Sequence, residues 1–151
     1  MYFSSRRSAG RVPWVTLITL IVIGGAGFAL WQFVLYPTTP GYTAQRYLTA
    51  VKAQDWPVMY KLAAMSPDQR SMVPNAEALK RLATIMPHLM PSFIDYTIDD
   101  VEESGGHAVV RGTVTLVRGK PPVRFRMRME RGDDRWLCGP VEPDRGAAPP
   151  L

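Results

Sequence analysis

The stretch IVIGGAGFAL, residues 21–30, decides between two architectures. Read as a glycine-rich turn after an apolar strand, it opens a dinucleotide-binding α/β unit. Read as the middle of a helix, it belongs to a membrane span. The dinucleotide turn needs G-x-G-x-x-G/A, for a tight bend, close approach of backbone to pyrophosphate, and helix packing. Gly25 and Gly27 satisfy the first two positions, but Leu30 stands at the third, where its side chain obstructs that packing. The acidic residue required for a ribose hydroxyl is missing too, because the first carboxylate of the chain is Asp55. Pro37 and Pro40 end the helix before a second strand can pair. The nucleotide reading therefore fails.

The membrane reading fits the surroundings. No charged residue occurs from Trp14 to Tyr36, and a helix of that length spans about 34 Å, enough for a hydrocarbon core of roughly 30 Å with slight tilt. Trp14 stands at one end, Trp31 and Tyr36 at the other, where amphipathic rings prefer the headgroup boundary. Arg6, Arg7 and Arg11 precede the run, and the next positive charge is Arg46, an asymmetry that keeps the N terminus in the cytoplasm. The expected partner of residues 13–36 is thus a lipid bilayer. A retained anchor is preferred to a cleaved signal peptide, since cleavage after Ala29 would leave the apolar LWQFVLY as a new N terminus. Ser5-Arg6-Arg7 lacks the apolar neighbours of a twin-arginine signal. Gly25 and Ala29 form a small-xxx-small pair, a weak hint of a homo-oligomer.

The expected organisation is a basic cytoplasmic tail (1–12), a transmembrane helix (13–36), a stiff linker (37–42), one α+β domain (43–140) and a disordered tail (141–151). Three of the 18 basic residues fall in the first segment, so the formal charge of +5 leaves the rest close to neutral. That balance points away from nucleic acid. A single cysteine, Cys138, excludes an intrachain disulfide.

Within the domain, Ala44, Tyr47, Leu48 and Val51 fall on one helical face, with Thr43 as the expected N-cap. Asp55 caps a second helix presenting Val58, Tyr60, Leu62 and Ala63; Ser66-Pro67 and Pro74-Asn75 start two more, the last with Leu79, Leu82 and Ile85 on a common side. From Phe93 the period changes to two. Ile94, Tyr96 and Ile98 alternate with polar residues, residues 108–117 form a second strand, and VRFRMRME (123–130) alternates Val123, Phe125, Met127 and Met129 with Arg124, Arg126, Arg128 and Glu130. A last strand carries Trp136 and Cys138. Helices followed by an antiparallel meander predict an α+β domain with helices on one sheet face.

The opening helix with Y-L-x-A-x-x-A-x-D-W (Tyr47 to Trp56), the short second helix and the terminal F-R-M-R-M-E-R-G-D-D-R-W-L resemble the nuclear transport factor two-like, cystatin-like superfamily, over about residues 41–140. The match is nearest to bacterial domains of unknown function that follow a membrane anchor. The resemblance implies a cone of N-terminal helices on a curved antiparallel sheet, with a mouth that holds a small ligand in some members. It also implies a bacterial plasma-membrane location with the domain outside.

For an enzyme or carrier, the expected pocket residues are Tyr47, Tyr60, Tyr96, Phe125, Met127 and Trp136. A base would have to come from Asp95, Asp99 or His88, and strand alternation puts both aspartates on the wrong face. No catalytic residue is therefore assigned. His88 and His107 lack second ligands at metal spacing, so no metal and no cofactor is expected. Cys138 reads as a small buried apolar residue. The remaining feature is a basic face of Arg111, Arg124, Arg126 and Arg128, extended by Arg118 and Lys120. It is either a dock for an anionic partner or a solvated face with cross-strand ion pairs. The expected function is a non-catalytic binding or assembly module of the cell envelope, contacting another envelope protein or its own copy. The alternative is an anchored carrier or cyclase/isomerase-like enzyme using the cone.

Overall fold

The structure is a computed structural model that describes residues 14–31, 34, 38–90 and 92–144. The chain divides into two compact units, 1–36 and 37–151. The expected tail 1–12 lies outside the described residues, as do 145–151.

In the first unit, helix α1 runs unbroken over Trp14–Leu30, straight through Gly24, Gly25 and Gly27. Among the described residues no strand precedes those glycines, and the helix makes no turn at them, which argues against the nucleotide reading on structural grounds. The helix carries no charge, and Ile21, Ile23 and Phe28 stand more than 60% exposed. Its 17 residues span about 26 Å, and among the described residues no helix is long and apolar enough to cross a membrane. Residues 13, 32, 33, 35 and 36 of the expected span, and 37 of the expected linker, lie outside the described set.

In the second unit, α2 covers Pro40–Ala53. Thr39 is the N-cap, its side chain accepting from the Tyr42 N–H at 3.3 Å, with Pro40 pre-set in the first turn. This corrects the expected cap at Thr43, whose own side chain is buried, and shortens the linker. Ala44 and Leu48 are fully buried and Tyr47 and Val51 nearly so, as the helical spacing predicts. Gln54 closes the helix in the left-handed region at φ +56°, its N–H reaching the carbonyls of Ala50 and Val51.

Helix α3 (Trp56–Leu62) is capped by Asp55 and buries Met59 and Leu62, while Val58 and Tyr60 are only half-buried. Helix α4 (Pro67–Met72) starts with a capping box between Ser66 and Gln69 and buries nothing. Helix α5 (Ala76–Ile85) is capped by Asn75 and buries Leu79. Ile85 is 73% exposed, which corrects its expected place beside Leu79 and Leu82. Steps of three residues turn 300°, so the sixth residue on stands about 120° round from the first. A 3-10 turn, Pro87–Leu89, follows.

The sheet is an antiparallel meander, β1 (Asp95–Ser104), β2 (His107–Thr115), β3 (Val123–Arg131) and β4 (Trp136–Pro143), in the order β1-β2-β3-β4. Gly105 and Gly106, both at positive φ, make the first tight turn. One face packs under the helices: Ala108, Val110 and Val114 of β2, Phe125, Met127 and Met129 of β3, and Trp136 and Cys138 of β4 meet Ala44, Leu48, Met59 and Leu62. The α+β expectation, helices on one face of an antiparallel sheet, holds.

Two bulges adjust this face. One falls between Ile98 and Asp100 and leaves Asp99 outside the ladder. The other falls between Met127 and Met129, where Gly139 and Pro140 face Arg128. The second corrects the expected end of the domain at Pro140. A proline cannot donate to a ladder but is accommodated at a bulge, and pairing resumes beyond it as Met127↔Val141, Arg126↔Glu142 and Phe125↔Pro143.

Candidate functional site

The six residues expected to line one pocket are dispersed. Phe125, Met127 and Trp136 are 0–2% exposed and pack into the core, filling the interior of the expected cone. Tyr96 sits at the flank, its hydroxyl 2.7 Å from Thr49 Oγ1 and donating to the Gln45 carbonyl at 3.1 Å, its ring edge-on to Phe93. Tyr60 lines a separate groove with Lys61, Arg70, Asp133, Asp134 and Arg135, where an exposed charge pair joins Asp134 and Arg135. Of the six, only Tyr47 reaches a second cleft, beside β4.

That cleft, about 460 Å³, opens between the ends of α3, α4 and α5 and residues 138–141 of β4. Chain geometry builds it. The Ala64 N–H donates to the Cys138 carbonyl at 2.7 Å, and Ala63 bridges Cys138 in parallel, so the segment after α3 is pinned against β4 at one point. Beyond that point Met65, Val73, Leu79, Leu82 and Met90 wall an open trough. Neither α4 nor α5 packs deeply enough to close it, since the two helices bury a single residue between them.

Two titratable groups, Tyr47 and Cys138, stand at the floor of the cleft. Burial pushes the Tyr47 hydroxyl up to about 12, with the neighbouring Cys138 adding to the effect, and burial alone raises the Cys138 thiol to about 12. Both are therefore neutral at physiological pH. Cys138 Sγ stands 4.0 Å from the Thr43 carbonyl, a weak donor contact. The Tyr47 hydroxyl has no hydrogen-bond partner among the described residues. His88, from the 3-10 turn, stands exposed at the rim. A largely apolar trough with an unpartnered hydroxyl at its floor and no lining Lys, Arg, Asp or Glu suits an uncharged, largely apolar group.

The aspartates offered as bases lie elsewhere. Asp95 pairs with Lys52 Nζ at 3.0 Å, and that hydrogen bond holds its carboxyl below the usual range. Asp99 is the bulge residue and accepts from Thr97 Oγ1 at 3.1 Å. His107 is exposed at the start of β2. Among the described residues no cluster of His, Cys, Asp or Glu is arranged to hold a metal ion.

The basic face divides in two. Arg111 is tied to Asp100 at 3.0 Å and Glu102 at 2.9 Å, and Arg126 Nε stands 3.6 Å from Glu142 without a hydrogen bond. No carboxylate lies within ion-pair distance of Arg124 or Arg128 among the described residues.

Sequence reasoning found Tyr47 but missed the cleft. Its walls come from residues 63–65, from one side of α5 and from a strand edge, none of which has a shared sequence period. The recurrence of Met59, Met65 and Met90 was the one available signal.

No protein-family model matches the chain, and no curated protein does. Solved structures resemble it. A SEC-C motif containing protein from Rhodopseudomonas palustris matches with a TM-score of 0.50 and 14% identity, over 70% of this chain and 79% of that one. A Campylobacter jejuni protein with the provisional name NTF2-like transpeptidase matches with a TM-score of 0.45 and 15% identity, over 68% and 98%. An NTF2-like protein of unknown function from Burkholderia pseudomallei matches with a TM-score of 0.43 and 20% identity, over 68% and 88%. At such identities the likeness is one of fold.

Proposed function

We propose that this chain is a membrane-tethered, non-catalytic binding module of the nuclear transport factor two-like, cystatin-like superfamily, held in a bacterial plasma membrane with its N terminus in the cytoplasm and residues 38–144 outside. The packed interior carries the non-catalytic reading. Phe93, Phe125, Met127, Met129 and Trp136, all 8% exposed or less, occupy the volume where a cone enzyme needs a dry chamber with a tuned base. The tether is supported by the uncharged, exposed α1 and by the arginines before it. Binding then falls to the cleft beside β4, which accepts an apolar group of an envelope protein or of a second copy.

A small-ligand carrier is the second reading, favoured by the unpartnered Tyr47 hydroxyl at the cleft floor. The full chain in detergent micelles is titrated with N-phenyl-1-naphthylamine, an uncharged apolar probe, after correction for micelles alone. Saturable fluorescence that Ala64→Trp removes, with the melting curve retained, supports the cleft. No saturable signal, or one indifferent to Ala64→Trp, overturns it. Alkaline carbonate extraction tests the tether independently: recovery of the chain in the supernatant removes the membrane assignment.

A further inference from the structure

The β2–β3 connection leaves large apolar side chains uncovered. Leu116 and Val117 are about half exposed and Val123 is 41% exposed, at a turn where burial would be expected for three large apolar side chains in nine residues. Arg118, Lys120 and Arg124 alternate among them, and none has a carboxylate within ion-pair distance among the described residues. No acidic residue occurs anywhere from Ser104 to Met129. The turn itself is well made. The Lys120 N–H donates to the Val117 carbonyl at 3.2 Å and Gly119 takes the left-handed region at φ +79°. Pro121 and Pro122 then contribute two residues without N–H groups, which lowers the number of donors that must be desolvated at an interface.

We propose that this tip, residues 116–124, docks onto the surface of an anionic lipid bilayer, with Leu116, Val117 and Val123 entering the headgroup boundary and Arg118, Lys120 and Arg124 meeting phosphates. Neither set suffices alone. Three modest apolar side chains give marginal partition, and three cations without insertion give a weak, salt-screened attraction. Together they make the two-signal arrangement that peripheral membrane contacts require. Arg128, which likewise has no carboxylate within ion-pair distance among the described residues, stands on the same outer face of β3 as Arg124 and extends the cationic surface from the tip. The inference relies on the proposed tether only to bring a bilayer within reach.

The test uses the full chain with Val117→Cys labelled by an environment-sensitive nitrobenzoxadiazole; native Cys138 is 1% exposed and does not compete. With phosphatidylglycerol vesicles the label moves to a lipid-like emission and is quenched by bilayer nitroxides. With phosphatidylcholine vesicles it stays aqueous. Reversing Arg118, Lys120 and Arg124 to Glu weakens the phosphatidylglycerol response by about a hundredfold in lipid concentration. A label that remains aqueous in both vesicles overturns the proposal, in favour of an acidic protein partner or none. Equal insertion in both vesicles overturns the headgroup role. Flotation of the chain reports the tether separately, so a chain that floats with an aqueous label refutes the tip alone. A chain that fails to float still has its tip read by the label.

Discussion

Arg111 and Arg126 face one another across the β2–β3 ladder, two cations on directly paired residues of the outer sheet face. Each is balanced by the strand beyond it. Asp100, Arg111, Arg126 and Glu142 form a single row across all four strands, acid, base, base, acid. Arg111 also takes Glu102 from the next rung of β1. Like charges directly opposed across strands repel, so the outer carboxylates are what make this register tolerable. The row needs β4 to continue past Pro140, because Glu142 is its last member.

Acid should loosen the sheet through these carboxylates. The Arg111 hydrogen bond, and then its charge, holds the Glu102 carboxyl below its ordinary value, and Lys52 does the same for Asp95. A folded-state pKa below the unfolded one gives stability that is present above the unfolded pKa and lost as pH falls through the folded one. The melting temperature of the chain is therefore expected to fall from about pH 5 to about pH 3, and Arg111→Gln to show a shallower fall. Thermal scans against pH, at low salt, measure both slopes. An unchanged slope in the variant would detach Glu102 from the effect.

Gly112 is expected to tolerate nothing larger. A Cβ built there stands 1.9 Å from the Thr97 carbonyl oxygen and 2.9 Å from the Phe125 ring, so backbone as well as side chain must move. Gly112→Ala should cost about 3 kcal/mol or more, the upper range for overpacking. Gly24→Ala in α1 has nothing within 4 Å and serves as the neutral control. Denaturant unfolding of the two variants compares them.

Truncation should separate filled interior from bare surface. Trp136→Ala is expected to cost about 3–5 kcal/mol and Met127→Ala about 2–5, by lost burial and the cavity left behind. Ile85→Ala, at a residue 73% exposed, should stay within about 0.5 kcal/mol of the parent. A large loss at Ile85 would mean that a partner covers α5 under the assay conditions.

Alkaline conditions should strain the cleft floor. Tyr47 and Cys138 both have folded-state values pushed up to about 12, from 10.0 and 9.0. A raised pKa gives stability that is complete below the unfolded pKa and lost as pH rises through the folded one. Stability should thus decline from pH 9 toward pH 12, and Tyr47→Phe with Cys138→Ala should flatten that decline. The native thiol should also resist alkylation at pH 8 and react only after unfolding. Prompt alkylation of the folded chain would place Cys138 at the surface.

Much of the fold was legible because periodicity and caps are local. The face of α2, the cap at Asp55, the helix starts at Ser66-Pro67 and Pro74-Asn75, and the inward set Phe125, Met127 and Met129 follow from local spacing and residue type. Errors arose where a local rule met a neighbouring element. Thr43 has the chemistry of an N-cap, but Thr39 and Pro40 begin the helix a turn earlier and leave Thr43 in the core. Pro140 looks like a stop, yet the bulge opposite Arg128 absorbs it. The expected pocket residues lie apart for the same reason: alternation identifies which side chains point inward and says nothing of whether they meet a void or one another.

The sequence by itself determined the order of helices and strands, the inward face of each, and the placement of an uncharged apolar helix behind three arginines. Those properties depend on the period of the backbone and on charge along the chain. Only the tertiary structure decided that the interior is packed, that the open trough lies between the short helices and β4, and which arginines have carboxylate neighbours. Each of these is a distance between residues far apart in the chain, set by register, bulges and how deeply short helices can pack.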